Sequence, residues 1–242
     1  MVTLKKLLQI AILPVGRTMY VWGGGWNKAD TGAGDPARTL GISPRWEEFF
    51  QKQGKDYDYE KTRYQILDGL DCSGYIGWCM YNLLETKNQK SGYVMPAGRM
   101  AYEFARRGFG TFRRKEEVFD YRAGDLMSSE NHVYLVVGVC ADQSVLLLHA
   151  SPPGVQFCGI TREESSEKSA AERLAEEAMR QFYPAYYEKY PICRRGKTYL
   201  TEYAQMRWYL SGDLGIQKFV MSDPDGYAKM SAEEILKDLY HA

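Results

Sequence analysis

The apolar positions fall into two patterns. Leu4, Leu7, Leu8, Ala11 and Ile12 recur at helical spacing after a capping Thr3, and Pro14 and Gly16 close the run, which predicts a helix from about Leu4 to Leu13. Cys72, Ile76, Cys79, Met80 and Leu83 repeat the spacing and predict a helix from Cys72 to Leu84, with Asp71 as its N-cap. A short helix opens at Ser43-Pro44, and another starts at Pro96 and ends near Gly108 with Met100 and Phe104 inward. Thr161 to Glu164 form a capping-box pattern before Ala170, Ala171, Leu174, Ala175, Ala178 and Phe182, and Pro184 stops that helix. Ser231 to Glu234 cap a last helix reaching Tyr240. The second pattern is extended. His132 to Cys140 and Val145 to His149 read as a hairpin closed by Ala141-Asp142-Gln143-Ser144, and Val155 to Ile160 as a third strand.

Composition narrows the choice little but excludes several classes. The 242 residues are 45% hydrophobic and 26% charged, ordinary for a globular chain. Lys plus Arg number 31 and Asp plus Glu 31, so the basic footprint of a nucleic-acid binder is missing. Leu7 to Val15 is the longest uncharged apolar run near the start, short of the ~20 residues a membrane span needs. Lys5 and Lys6 before it imitate a signal peptide, but no small-residue cleavage site follows. A cytoplasmic protein is expected, with leaderless release as the alternative. Five cysteines at irregular spacing suit neither a disulfide framework nor zinc, and no cofactor is expected. Asp30 and Asp35, like Asp223 and Asp225, read as turns rather than calcium loops. Tyr183, Tyr186, Tyr187 and Tyr190 read as packing.

The stretch from Trp26 to Leu70 is too long for a structureless loop. Asp30 to Pro36 is Gly/Asp-rich loop, whereas the back half carries Trp46, Phe49, Phe50, Tyr57, Tyr59 and Tyr64. It is expected to be a folded insertion, either walling a cleft or forming a small core of its own.

Candidate chemistry centres on Cys72, at the start of a helix in Asp71-Cys72-Ser73-Gly74. The positive end of a helix and a nearby imidazole both favour a thiolate. Gly74 leaves room beside the thiol, and the unpaired first-turn N–H groups suit an oxyanion. Of three histidines, His241 is penultimate, while His132 and His149 lie on the hairpin. A symmetric hairpin puts Cys140 opposite Val145 and His149 opposite Val136, so both rings project from one face. They then stand four residues apart along the strand direction, ~13 Å. In triad terms Cys72 attacks a carbonyl, His132 takes the thiol proton and returns it to the leaving amine, and His149 orients His132.

Together these segments resemble a known family. Tyr20-Val21-Trp22-Gly23-Gly24, Leu70-Asp71-Cys72-Ser73-Gly74-Tyr75, Ala123-Gly124-Asp125-Leu126, His132-Val133 and Leu148-His149-Ala150 are similar to the motifs of NlpC-type cell-wall cysteine peptidases. The likeness covers roughly residues 4 to 160. It implies a papain-like α+β fold, with the nucleophile on a helix packed against an antiparallel sheet. It implies Cys72, His132 and His149 as catalytic residues, acting through a thioester. The implied reaction is hydrolysis of the γ-D-glutamyl–diamino acid bond in peptidoglycan stem peptides. Tyr20, Asp71 and Ser73 match positions that hold a free N-terminal L-alanine in relatives that require one. Three departures stand out: the insertion at 26–69, the 17-residue separation of His149 from His132, and residues 161–242 as a mostly helical extension on the same domain. Short muropeptides are the expected substrate. The alternatives are an amidase or acyltransferase on the same scaffold, or an inactive binding module.

Overall fold

In the computed structural model, residues 2–25, 41–84, 93–161, 167–211 and 221–241 are described, residue 241 by its backbone alone. Among the described residues there are nine strands: β1 (Met19–Tyr20), β2 (Gly69–Leu70), β3 (Gly110–Arg113), β4 (Leu126–Ser128), β5 (Val133–Val139), β6 (Val145–Ser151), β7 (Gly154–Ile160), β8 (Arg194–Arg195) and β9 (Ala204–Trp208). They join one mostly antiparallel sheet in the order β2-β1-β7-β6-β5-β4-β9-β3, with β8 beside β7. The protein is thus a mixed α+β fold. Its helices among the described residues are α1 (Leu4–Ile12), α2 (Pro44–Lys52), α3 (Cys72–Leu84), α4 (Ala97–Arg106), α5 (Ala170–Phe182), α6 (Pro184–Lys189), α7 (Thr198–Thr201) and α8 (Ala232–His241).

The central strands are near-continuously apolar because both their faces are covered. Val133, Leu135, Leu146, Leu148, Val155 and Phe157 belong to the large core that also holds Leu7, Leu8, Tyr75, Ile76 and Ile235 from the helices. Tyr134, Val136, Val145, Leu147, Cys158 and Ile160 form a second cluster, closed by Leu200 and Tyr203. The extension is therefore more than helical. It lays β9 between β4 and β3, adds β8 beside β7, and roofs the second cluster.

Local signals explain the ends of the helices. Thr3 Oγ1 accepts from Lys6 N at 3.0 Å, as a capping side chain should. The capping pattern at Thr161 to Glu164 falls largely outside the described residues; α5 is instead capped by Ser169 and Glu172, reciprocally bonded at 3.2 and 3.0 Å. The hairpin turn adds to this cap, with Asp142 Oδ2 accepting from Ala170 N at 2.7 Å and Ser144 Oγ from Ala171 N at 2.9 Å. Asp30 to Pro36 lies outside the described residues. The rest of the insertion builds no separate core among the described residues. Trp46 and Phe50 are buried in the main core, Trp46 edge-on to Trp78 at 5.8 Å. Tyr57 donates to Tyr20 O at 2.6 Å, and Tyr59 packs edge-on against the Tyr20 ring at 5.4 Å. Among the described residues no helix is long and apolar enough to cross a membrane.

Candidate active site

Strand β2 pairs in parallel with β1, Tyr20 opposite Leu70, and hands the chain straight to α3. The Asp71 carboxylate caps that helix, accepting from Gly74 N at 2.7 Å and from Ser73 Oγ at 2.9 Å. Gly24 O accepts from Asp71 N at 3.1 Å, tying the first glycine motif to the second. The approach is close enough to exclude any side chain at position 74, since a Cβ on Gly74 would stand 2.1 Å from Gly24 O. Burial raises the Asp71 pKa above its ordinary value, against the pull of N–H groups from Gly74, Ser73 and Gly23. Tyr20 lies near enough for burial and then the Cys72 and Asp71 charges to raise its phenol. Tyr20, Asp71 and Ser73 thus stand around the thiol, two of them engaged in shaping its helix end.

The histidines meet, but not through a symmetric hairpin. The turn pairs Val139 with Val145, and an irregularity between Val136 and Gly138 moves the ladder again, so Leu135 pairs with Leu148. Continued by one residue, His149 falls opposite Tyr134 rather than Val136. One shift alone would have turned His149 to the other face; two restore its side and bring it one pair closer to His132. His132 Nε2 and His149 Nδ1 are 2.9 Å apart, with the rings edge-to-face at 5.1 Å.

The sulfur sits where β5 begins. The Val133 N–H, one residue past His132, and the N–H groups of Ser73 and Cys72 favour its anion. They do not prevail. Cys72 is 7% exposed, and burial followed by the Asp71 charge pushes its thiol up to about 12. Burial, then the Arg195 charge, holds His132 down at about 3. The same causes, then His132, hold His149 well below the ordinary imidazole value. The expectation of an ionised sulfur at neutrality is therefore corrected: the resting groups are a thiol and two neutral rings, because desolvation outweighs the helix end. No hydrogen bond links the Cys72 sulfur to either ring among the described residues.

Nothing in the hairpin's own pattern announces what surrounds the histidines. Tyr199 lies 5.6 Å from the His132 ring and 6.0 Å from that of His149, and Tyr203 lies 6.4 Å from His132. Two tyrosines four apart beside a single-turn helix are the only signal. Asp125, from the Gly-Asp-Leu motif, is fully buried and does not join the thiol. Its carboxylate accepts from Arg207 at 2.6 and 2.9 Å, from Gln205 Nε2 at 3.0 Å and from Arg122 N at 2.8 Å. The motif therefore pins β4 to β9. A groove of about 680 Å³, lined in part by Gly98, Phe112, Ser129, Asn131 and Glu202, borders the loop leading to His132. Among the described residues no group of three or more His, Cys, Asp or Glu is placed to hold a metal. Comparison with protein families, with curated proteins and with solved structures finds no match.

Proposed function

We propose that the protein is a thiol hydrolase of papain-like construction, acting on peptidoglycan stem peptides at the γ-D-glutamyl–diamino acid bond. The observation that carries this reading is the 2.9 Å contact of His132 with His149, made one residue before Val133, whose N–H favours the Cys72 anion. With His132 Nε2–H donating to His149 Nδ1, His132 Nδ1 is left unprotonated and free to act as base. Because both partners rest neutral, proton transfer accompanies attack. The sulfur bonds the carbonyl carbon as its proton passes to His132, and the oxyanion draws on the Cys72 and Ser73 N–H groups. The imidazolium then protonates the departing amine, leaving a thioester. Water, deprotonated by His132, hydrolyses it and regenerates the thiol. His149 is itself neutral, so it orients His132 more than it stabilises the cation.

On this reading the peptide would run past the groove beside the Ser129–Asn131 loop and past Tyr20. The test is mass spectrometry of L-Ala-γ-D-Glu-diaminopimelate incubated with the protein and with Cys72→Ala. Release of L-Ala-D-Glu by the unchanged protein alone is the expected result. Acyl transfer to an added amine in preference to water would mark an acyltransferase. Saturable binding with no product would mark a binding module. Either result overturns the hydrolase reading.

A further inference from the structure

Past the imidazole pair lie buried hydrogen-bonding groups with no partner among the described residues. Gln156 faces His149 across the β6–β7 ladder and is 1% exposed. Among the described residues neither of its amide atoms has a hydrogen-bond partner, nor does His149 Nε2 or the Tyr186 hydroxyl. Tyr186 reaches the same face of β7, its hydroxyl 2.9 Å from where a Cβ on Gly154 would stand. Arg195 pairs with Ile160, whose side chain shares the face of Gln156 and Cys158. Its guanidinium donates to Arg194 O at 2.8 Å, and the Tyr199 hydroxyl lies near enough to bear on its charge. It makes no ion pair among the described residues; the nearby Glu172 pairs with Arg194 at 3.6 Å.

These groups are one-sided in charge. If His132 Nε2–H donates to His149 Nδ1, the remaining His149 hydrogen is on Nε2. The unpaired groups are then the His149 N–H, the Tyr186 O–H, both ends of the Gln156 amide, and a cation. Among the described residues, the titratable groups on which the Arg195 charge bears are His132 just ahead of β5, His149 from β6, Cys158 from β7, Tyr186 from α6, Cys193 ahead of β8, and Tyr199 from α7. None of them is an anion at neutral pH. A partly buried cation on the same sheet face as buried, unpaired donors, with no anion among the groups it bears on, matches the chemistry of a small anion.

We propose that His149, Gln156, Tyr186 and Arg195 form a binding site for one small monovalent anion, chloride or a carboxylate group, seated behind the imidazole pair. The bound charge offsets that of Arg195, which bears on both rings, and so makes the imidazoles more basic. The site needs no turnover at Cys72 and stands or falls apart from the peptidase reading.

The test is long-range proton–nitrogen NMR of protein labelled in its histidine rings. Chloride replaces gluconate at fixed ionic strength, at several pH values. The expected result is a saturable change at the His149 and His132 nitrogens, with their titration moved up by about one pH unit or more. Arg195→Gln abolishes the saturable response, and Tyr186→Phe weakens it. A response linear in salt and equal with gluconate, or none, means a hydrated pocket only and overturns the proposal; the unchanged protein alone decides this if the variants do not fold. An acetate arm tests carboxylates. Displacement of chloride by the stem peptide in Cys72→Ala assigns the occupant to the peptide's carboxylate, and retention assigns it to a solution anion. A peptide that never binds leaves the chloride response intact and counts only against the hydrolase.

Discussion

Acid should unfold this protein through two rings. In the unfolded chain each imidazole takes a proton near pH 6.5. In the folded chain burial and then Arg195 hold His132 down at about 3 and His149 well below its ordinary value. A depressed imidazole stabilises the fold fully above pH 6.5 and loses that stabilisation as pH falls, because only the unfolded state binds the proton. At pH 5, 1.5 units below the unfolded value, each ring contributes a loss of about 2 kcal/mol at 1.36 kcal/mol per unit. The pair costs about 4 kcal/mol, a large part of the 5–15 kcal/mol typical of a domain. Burial lowers no other histidine with a described side chain, and the carboxylates held low by arginine or lysine, Glu103, Asp120 and Asp238, act below this window. Asp71 and Asp125, raised by burial, act with the opposite sign. The measurement is therefore a difference. Urea unfolding is followed by fluorescence of the buried Trp46, Trp78 and Trp208 at pH 8, 7, 6 and 5, in the unchanged protein and in His132→Gln/His149→Gln. The stability difference should narrow by about 4 kcal/mol between pH 8 and 5. A difference that stays constant refutes the claim that both rings are buried neutral.

Other predictions bear on single residues. Alkylation of Cys72 by iodoacetamide, read by mass spectrometry, should keep accelerating beyond pH 9, because burial and Asp71 push its thiol up to about 12; a plateau near pH 7 would show a preformed thiolate instead. It should still outpace the other thiols, since Cys79, Cys140, Cys158 and Cys193 are 0–2% exposed. Gly74→Ala forces a Cβ to 2.1 Å from Gly24 O, so the melting temperature should fall, and so should any Cys72-dependent activity. Arg207→Met strips the buried Asp125 of its cation and should cost about 3–5 kcal/mol in urea unfolding, partly recovered by adding Asp125→Asn.

The elements are legible in the chain because their signals are local. Thr3, Asp71 and Ser231 announce helix starts by side-chain bonds within three residues, and the runs at 133–139 and 145–151 announce strands by apolar content alone. Strands β8 and β9 are not legible in this way. Arg194–Arg195 is polar and two residues long, and Ala204–Trp208 owes its place between β4 and β3 to partners some 80 residues away, Asp125 among them. The thiol's protonation state is hidden for a related reason. Helix position is written locally at Asp71-Cys72, whereas desolvation depends on what covers the sulfur, and Tyr203 comes from the extension.

Register shows how narrowly the site depends on a detail that parity arguments miss. A symmetric turn would leave the rings about 13 Å apart along the strand direction. The turn contributes one register shift, and the irregularity between Val136 and Gly138 contributes the second. Gly138 is suited to that place, since a Cβ there would stand 2.8 Å from Ala232 Cα of α8. The last helix thus leans on the residue whose irregular pairing delivers His149 to His132. Gly138→Ala should push α8 away or straighten β5. Straightening would undo one shift, turn His149 to the helix face and break the 2.9 Å contact. Proton–nitrogen spectra report this directly, because the Nε2–Nδ1 hydrogen bond fixes the tautomers of both rings. Retained tautomers, in a variant no less stable than the parent, would refute the link between that packing and the histidine pair.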